Sequence, residues 1–95
     1  MTLACTLTSA ELRARRAHIG AIADRALRSR ERVPGGARFV FDPAAEAALR
    51  ELVALEAECC PFLTLDLRPA GDALELTVTA PSEAAPVIAE LFAGA

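Results

Sequence analysis

Lysine, tyrosine and tryptophan are absent from this sequence, histidine occurs once and cysteine three times. Each shortage closes a route. A single histidine, His18, set within a helical stretch, reads as a surface or packing residue and leaves a Cys-His hydrolase poorly supported. Structural zinc takes four nitrogen or sulfur ligands, more than three cysteines and a mid-helix histidine supply. Calcium and magnesium need oxygen clusters, and none is present. The sequence has no C-x-x-C pair, so a thiol-disulfide exchange enzyme lacks its usual resolving partner. An odd number of cysteines argues against a disulfide framework. Adjacent cysteines also pair poorly with one another, because the small ring strains the peptide bond between them. No apolar run approaches the roughly 20 residues that cross a bilayer. The opening Met1–Thr8 lacks the basic and then apolar order of a signal peptide, and a cytoplasmic protein that does not enter membranes is expected.

With lysine missing, all ten basic residues are arginine, which together with the abundance of alanine suggests a GC-rich genome. Their placement is more informative than their number. Residues 1–38 hold eight arginines against Glu11, Asp24 and Glu31, a net of +5. Residues 39–95 hold two arginines against ten acids, a net of −8, and the sum is the −3 of the whole chain. Such asymmetry lets the two halves attract one another or an acidic partner. No aromatic residues interleave with the arginine run, and a solvated helix face is a better reading of it than direct nucleic-acid binding.

What is present suits one small domain. The chain has 95 residues, 54% of them hydrophobic, enough for a modest core with a thin margin of stability. A second copy would add to that margin, and a homodimer is among the expected assemblies.

Alternation of Leu3, Cys5 and Leu7 with Ala4, Thr6 and Thr8 predicts a short opening strand with Cys5 on its apolar side. Thr8 and Glu11 form a capping-box pattern. The helix it announces runs to about Arg28, with Leu12, Ile19, Ile22, Ala23, Ala26 and Leu27 as its apolar stripe. Pro34-Gly35-Gly36 marks the turn of a hairpin between Arg32-Val33 and Ala37–Phe41. Asp42-Pro43 supplies an N-cap followed by proline at the first helical position. The second helix, from Pro43 to about Cys60, carries Ala45, Ala48, Leu49, Leu52, Val53 and Leu55 in a 3.6-residue rhythm that reaches Cys59. Leu63, Leu65 and Leu67, then Leu74, Leu76, Val78 and Ala80, mark a second hairpin turning at Pro69–Asp72. A last helix begins near Ser82. The order β-α-β-β-α-β-β-α predicts an α+β fold, a single layer of helices on a mainly antiparallel sheet, as a ferredoxin-like variant with an added strand and helix.

The chemistry-bearing feature is Cys59-Cys60, which ends the second helix and is followed at once by Pro61. A helix C-terminus disfavours thiolate, since the macrodipole there is negative, and Glu56 and Glu58 act in the same direction. Both acids read as solvated helix charges rather than ligands. Thiols in that setting stay protonated until a stronger cation displaces the proton, which a soft metal ion does. Two or three thiolates suit Hg(II), Cu(I) or As(III). Cys5, on the apolar side of the first strand, is the candidate third ligand. Two other readings fit the same residues. One is a thiol-based redox sensor or enzyme; the other is an interaction module in which buried cysteines act as small hydrophobes.

Ala4-Cys5-Thr6-Leu7, the element Glu58-Cys59-Cys60-Pro61-Phe62-x-Thr64-x-x-Leu67 with its Cys-Cys-Pro-Phe core, and the closing Thr79-Ala80-Pro81, Ala85-Pro86 and Leu91-Phe92 together resemble a small actinobacterial domain. That domain is found alone or as the C-terminal extension of MerR-type heavy-metal-responsive regulators. The resemblance spans Ala4 to Phe92 and implies heavy-metal binding or sensing, with Cys5, Cys59 and Cys60 as the matching thiols. Unlike the fused form, this chain carries no helix-turn-helix segment, which points away from direct transcriptional control. The expectation is therefore a metal-binding scavenger, chaperone or accessory sensor, with no catalytic turnover and no organic cofactor.

Overall fold

A computed structural model describes residues 9–59, 63–84, 86, 88, 89 and 92, with the side chains of residues 9, 59 and 84 excepted. The elements follow in the order α1 (Ser9–Ala26), β1 (Leu27–Val33), β2 (Gly36–Phe41), a 3-10 turn (Pro43–Ala45), α2 (Glu46–Cys59), β3 (Thr64–Ala70), β4 (Ala73–Thr79) and a 3-10 turn (Ser82–Ala84). The fold is α+β, as its periodicities predict. The strand expected over residues 3–7 and its neighbouring cap at Thr8 lie outside the described residues, so the described chain opens with a helix.

Two tight hairpins build the sheet. The first turns through Pro34-Gly35, with Gly35 at φ +81°, the proline-then-positive-φ order of a type II turn. The second turns through Gly71-Asp72, with Gly71 at φ +65° and no positive φ at Asp72, which fits the mirror-image type II′ turn favoured between twisted strands. The hairpins join through β2 and β4, giving the antiparallel order β1-β2-β4-β3. In a ferredoxin-like sheet an opening strand fills the place between the edge strand that follows α2 and the strand that precedes α2. Here β4 fills it. The sheet is thus a permuted form of the expected variant.

Pairing register sorts the side chains. Ala37, Phe39 and Phe41 face Val78, Leu76 and Leu74, and beyond them Leu65 and Leu67. Those five residues of the central ladder after Ala37 and before β3 are all buried, and they merge with Ile19 and Ile22 of α1 and Leu49 and Leu52 of α2 in one core. Ile88 and Phe92 close that core, the Phe92 ring stacking on Phe39 at 5.1 Å between centroids. Phe92 N–H donates to the Ile88 carbonyl at 3.0 Å, a helical contact in the region expected to be the last helix. The opposite face of the sheet is polar, with Arg38 between Glu31 at 2.9 Å and Glu75 at 3.5 Å.

Element boundaries moved where tertiary pairing outweighed local rhythm. Helix α1 stops at Ala26, and Leu27, expected in its stripe, pairs with Phe41 in β1. Asp42 N–H donates to the Ala26 carbonyl at 2.8 Å and closes that junction. The Asp42 side chain accepts from Ala44 N–H at 2.9 Å, the expected N-cap. Strand β3 extends through Pro69 to Ala70, beyond the expected end at Leu67. Proline is tolerated there because β3 is an edge strand.

Candidate thiol metal site

The 3-10 turn and helix α2 that follows it share one buried row. Ala45, Leu49, Leu52 and Glu56 are buried, with spacings of four, three and four residues, the periodicity of one helical face. Position 59 comes three residues later and continues that row. The last described helical residue is Cys59; the expected helix end at Cys60-Pro61 lies outside the described residues.

Glu56 corrects an expectation. The sequence suggests a solvated helix charge, whereas the Glu56 side chain is 0% exposed. Its Oε1 accepts from the Arg15 guanidinium of α1, whose side chain is 11% exposed. A carboxylate can be buried this way because a cation from another element meets it. Its Oε2 has no hydrogen-bond partner among the described residues. Glu58, by contrast, is exposed.

The ion pair also sets the direction of the helices. The end of α1 meets the start of α2 through Ala26 and Asp42, while Arg15 in the first half of α1 meets Glu56 near the end of α2. The helices therefore run antiparallel. From Arg15 to Ser9 is six residues, about 9 Å of helix, and from Glu56 to Cys59 is three, about 4.5 Å. Both ends lie at the same end of the molecule.

Of the expected ligands, Cys5 and Cys60 lie outside the described residues, and only the backbone of Cys59 is described. Among the described residues no group of three His, Cys, Asp or Glu side chains converges. His18 is half-buried on α1, in keeping with its reading as a packing residue. No described helix is long and apolar enough to cross a membrane.

Sequence reasoning left Arg15 unplaced. The basic first half and acidic second half signal that arginines offset acids, but identifying the pair requires the helix packing. The same complementarity recurs in Arg28, which contacts Asp42 at 3.2 Å and Asp72 at 3.5 Å. It recurs again in Arg38 with Glu75. Asp42 feels it chemically: the hydrogen bond from Ala44 N–H, and then Arg28, hold its carboxyl below the ordinary value of 3.8.

No family model matches the chain, and no curated protein or solved structure shows a significant match to it.

Proposed function

We propose that this protein captures a soft thiophilic metal or metalloid ion, of the Hg(II), Cu(I) or As(III) type, through the thiolates of Cys59, Cys60 and Cys5. Its role on this reading is that of scavenger, chaperone or accessory sensor, without catalytic turnover. The observation that carries the reading is the antiparallel pairing of α1 and α2 clamped by Arg15 and Glu56. That clamp sets Ser9 beside the end of α2, and Cys5 is four residues upstream, a chain span of at most about 14 Å. On this reading the span from Ser9 is short enough for Cys5 to join the adjacent pair, which supports a shared site.

Chemistry supports the same reading. A helix C-terminus is a poor setting for a nucleophilic thiolate but no obstacle to a soft cation, which displaces the thiol proton on binding. Arg15 offsets the charge of Glu56, so a thiolate-metal cluster would not face an unbalanced carboxylate from that residue. The resemblance of the Cys-Cys-Pro-Phe element to heavy-metal-responsive domains points the same way.

Titration of the reduced protein with Hg(II), Cu(I) and As(III), followed through the thiolate-to-metal absorption band, tests the proposal. Tight binding that Cys59→Ser and Cys60→Ser each abolish is expected. Binding unchanged in those variants, or none in the wild type, would sink it. Cys5→Ser separates coordination numbers: it weakens a three-thiolate site and leaves a two-thiolate site largely intact.

A further inference from the structure

We infer that the cleft between β1 and the C-terminal segment is a second ligand site, for an amphipathic organic carboxylate. Two arginines stand where the sheet's pattern calls for apolar side chains. On β1, Arg30 pairs with Phe39 and Arg32 with Ala37, and directly opposed residues of an antiparallel pair share one face. That face is the inner one, which carries the buried Phe39, Leu76 and Val78. The C-terminal segment covers β2 through Phe92 and Ile88, and between it and β1 lies an open cleft of about 970 Å³. Its size is within the range of about 300–1,000 Å³ usual for small-molecule sites.

The lining divides cleanly. Ala37, Phe39, Ile88 and Phe92 make an apolar floor, and Arg30 and Arg32 make a cationic rim. Glu31 is the rim's carboxylate, but it alternates to the outer face, where Arg38 engages it at 2.9 Å. Arg30 has a partner of its own, so Arg32 is the arginine that meets the ligand. Arg32 is exposed, and no described residue forms a hydrogen bond or ion pair with it. A planar guanidinium over an apolar floor matches a carboxylate head, held by two parallel N–H···O bonds, with a hydrocarbon body behind it.

This site is separate from the proposed thiol site. β1 and β3 are opposite edges of the sheet, three strand spacings or about 14 Å apart, and α2 delivers Cys59 towards β3.

Decanoate and decanol, which share an apolar body and differ in charge, provide the test. In ¹⁵N-labelled protein, decanoate should shift the amides of Arg32, Ala37, Phe39 and Ala89. Decanol should bind about tenfold or more weakly, the difference expected of a charge-assisted hydrogen-bonded head group. Arg32→Gln should bring decanoate down to the affinity of decanol and leave decanol unchanged. Ala89→Phe, which fills the cleft from an exposed position, should weaken both. Equal binding of acid and alcohol, insensitivity to Arg32→Gln, or shifts confined to the outer face would overturn the inference. So would self-association at β1 that excludes decanoate, because the occupant would then be a second copy of the chain. None of these readouts depends on the cysteines.

Discussion

At the scale of single residues, the buried Glu56 is the most consequential side chain described. It is held by one cation, and an uncompensated carboxylate in its place would be costly. Arg15→Met strands Glu56 in the core and should lower unfolding stability by about 3–5 kcal/mol in urea denaturation. Glu56→Gln keeps the volume and leaves Arg15, with its 11% exposure, a way to water, so its effect should be smaller. Arg15→Met combined with Glu56→Leu should recover most of the loss, because an apolar pair of similar volume removes the desolvation penalty together with the attraction. A double variant no more stable than Arg15→Met would show that the pair does more than neutralise itself.

Asp42 makes a different prediction, because it is charged and solvated. Its carboxyl is depressed by the Ala44 N–H bond and by Arg28. A depressed folded-state value means that its contribution is present at neutral pH and disappears as pH falls through that value. Asparagine is an equally good N-cap, so Asp42→Asn isolates the charge. The variant should be less stable than wild type at pH 7, and the two should converge as pH drops below the ordinary carboxyl value of 3.8. Thermal melts across that range measure it; a gap that widens in acid would contradict the assignment.

At the scale of elements, the two hairpins show what local chemistry decides and how finely. Proline, glycine and alternating apolar residues announce both turns. Register is more delicate, because a slip of one residue exchanges the two faces of a strand. Reading Pro34-Gly35-Gly36 as the turn leaves the register of β1 open. The observed two-residue turn pairs Val33 with Gly36, and that choice sends Arg30 and Arg32 to the inner face. Gly36 is selected by its neighbour across the ladder: a Cβ there would lie 1.8 Å from the Val78 carbonyl oxygen. Gly71 has open space around it but a φ of +65°, which an L-residue adopts at a cost of about 1–2 kcal/mol. Gly71→Ala should therefore show that modest loss in chemical denaturation. Gly36→Ala should cost more and weaken amide-exchange protection along β2 and β4, since backbone must move to admit the methyl group.

Helix α2 was legible almost entirely. Asp42-Pro43 announces its start, and a 3.6-residue row marks its buried face as far as Glu56. The end of α1 was not. Leu27 continues the helical stripe, and only the sheet, by pairing it with Phe41, decides that it belongs to β1. Propensity is a weak prior that such pairing overrides.

At the scale of the whole molecule, opposite charge on the two halves is spent on docking them. Arg15, Arg28 and Arg38 come from the basic first 38 residues, and Glu56, Asp42, Asp72 and Glu75 from the acidic remainder. The global fold also sharpens the test of metal capture. Adjacent Cys59 and Cys60 are as close together in an unfolded chain as in a folded one, whereas Cys5 joins them only if the helices are packed. A ligand that binds the folded chain alone stabilises it by about 2.7 kcal/mol at a hundred times its dissociation constant. A three-thiolate site should therefore raise the melting temperature on adding As(III), and Cys5→Ser should remove most of the rise. A rise of equal size in Cys5→Ser would assign binding to the adjacent pair.

The sequence by itself determined the two described helices, the two hairpins with their turns, and the apolar faces, because each rests on contacts between near neighbours along the chain. Only the tertiary structure decided that β4 occupies the centre of the sheet, that Glu56 is buried against Arg15, and that Arg30 and Arg32 share a face with the core. These depend on which distant surfaces meet, and the free energy that selects among such meetings comes from packing and desolvation shared by the whole molecule, which no local window contains.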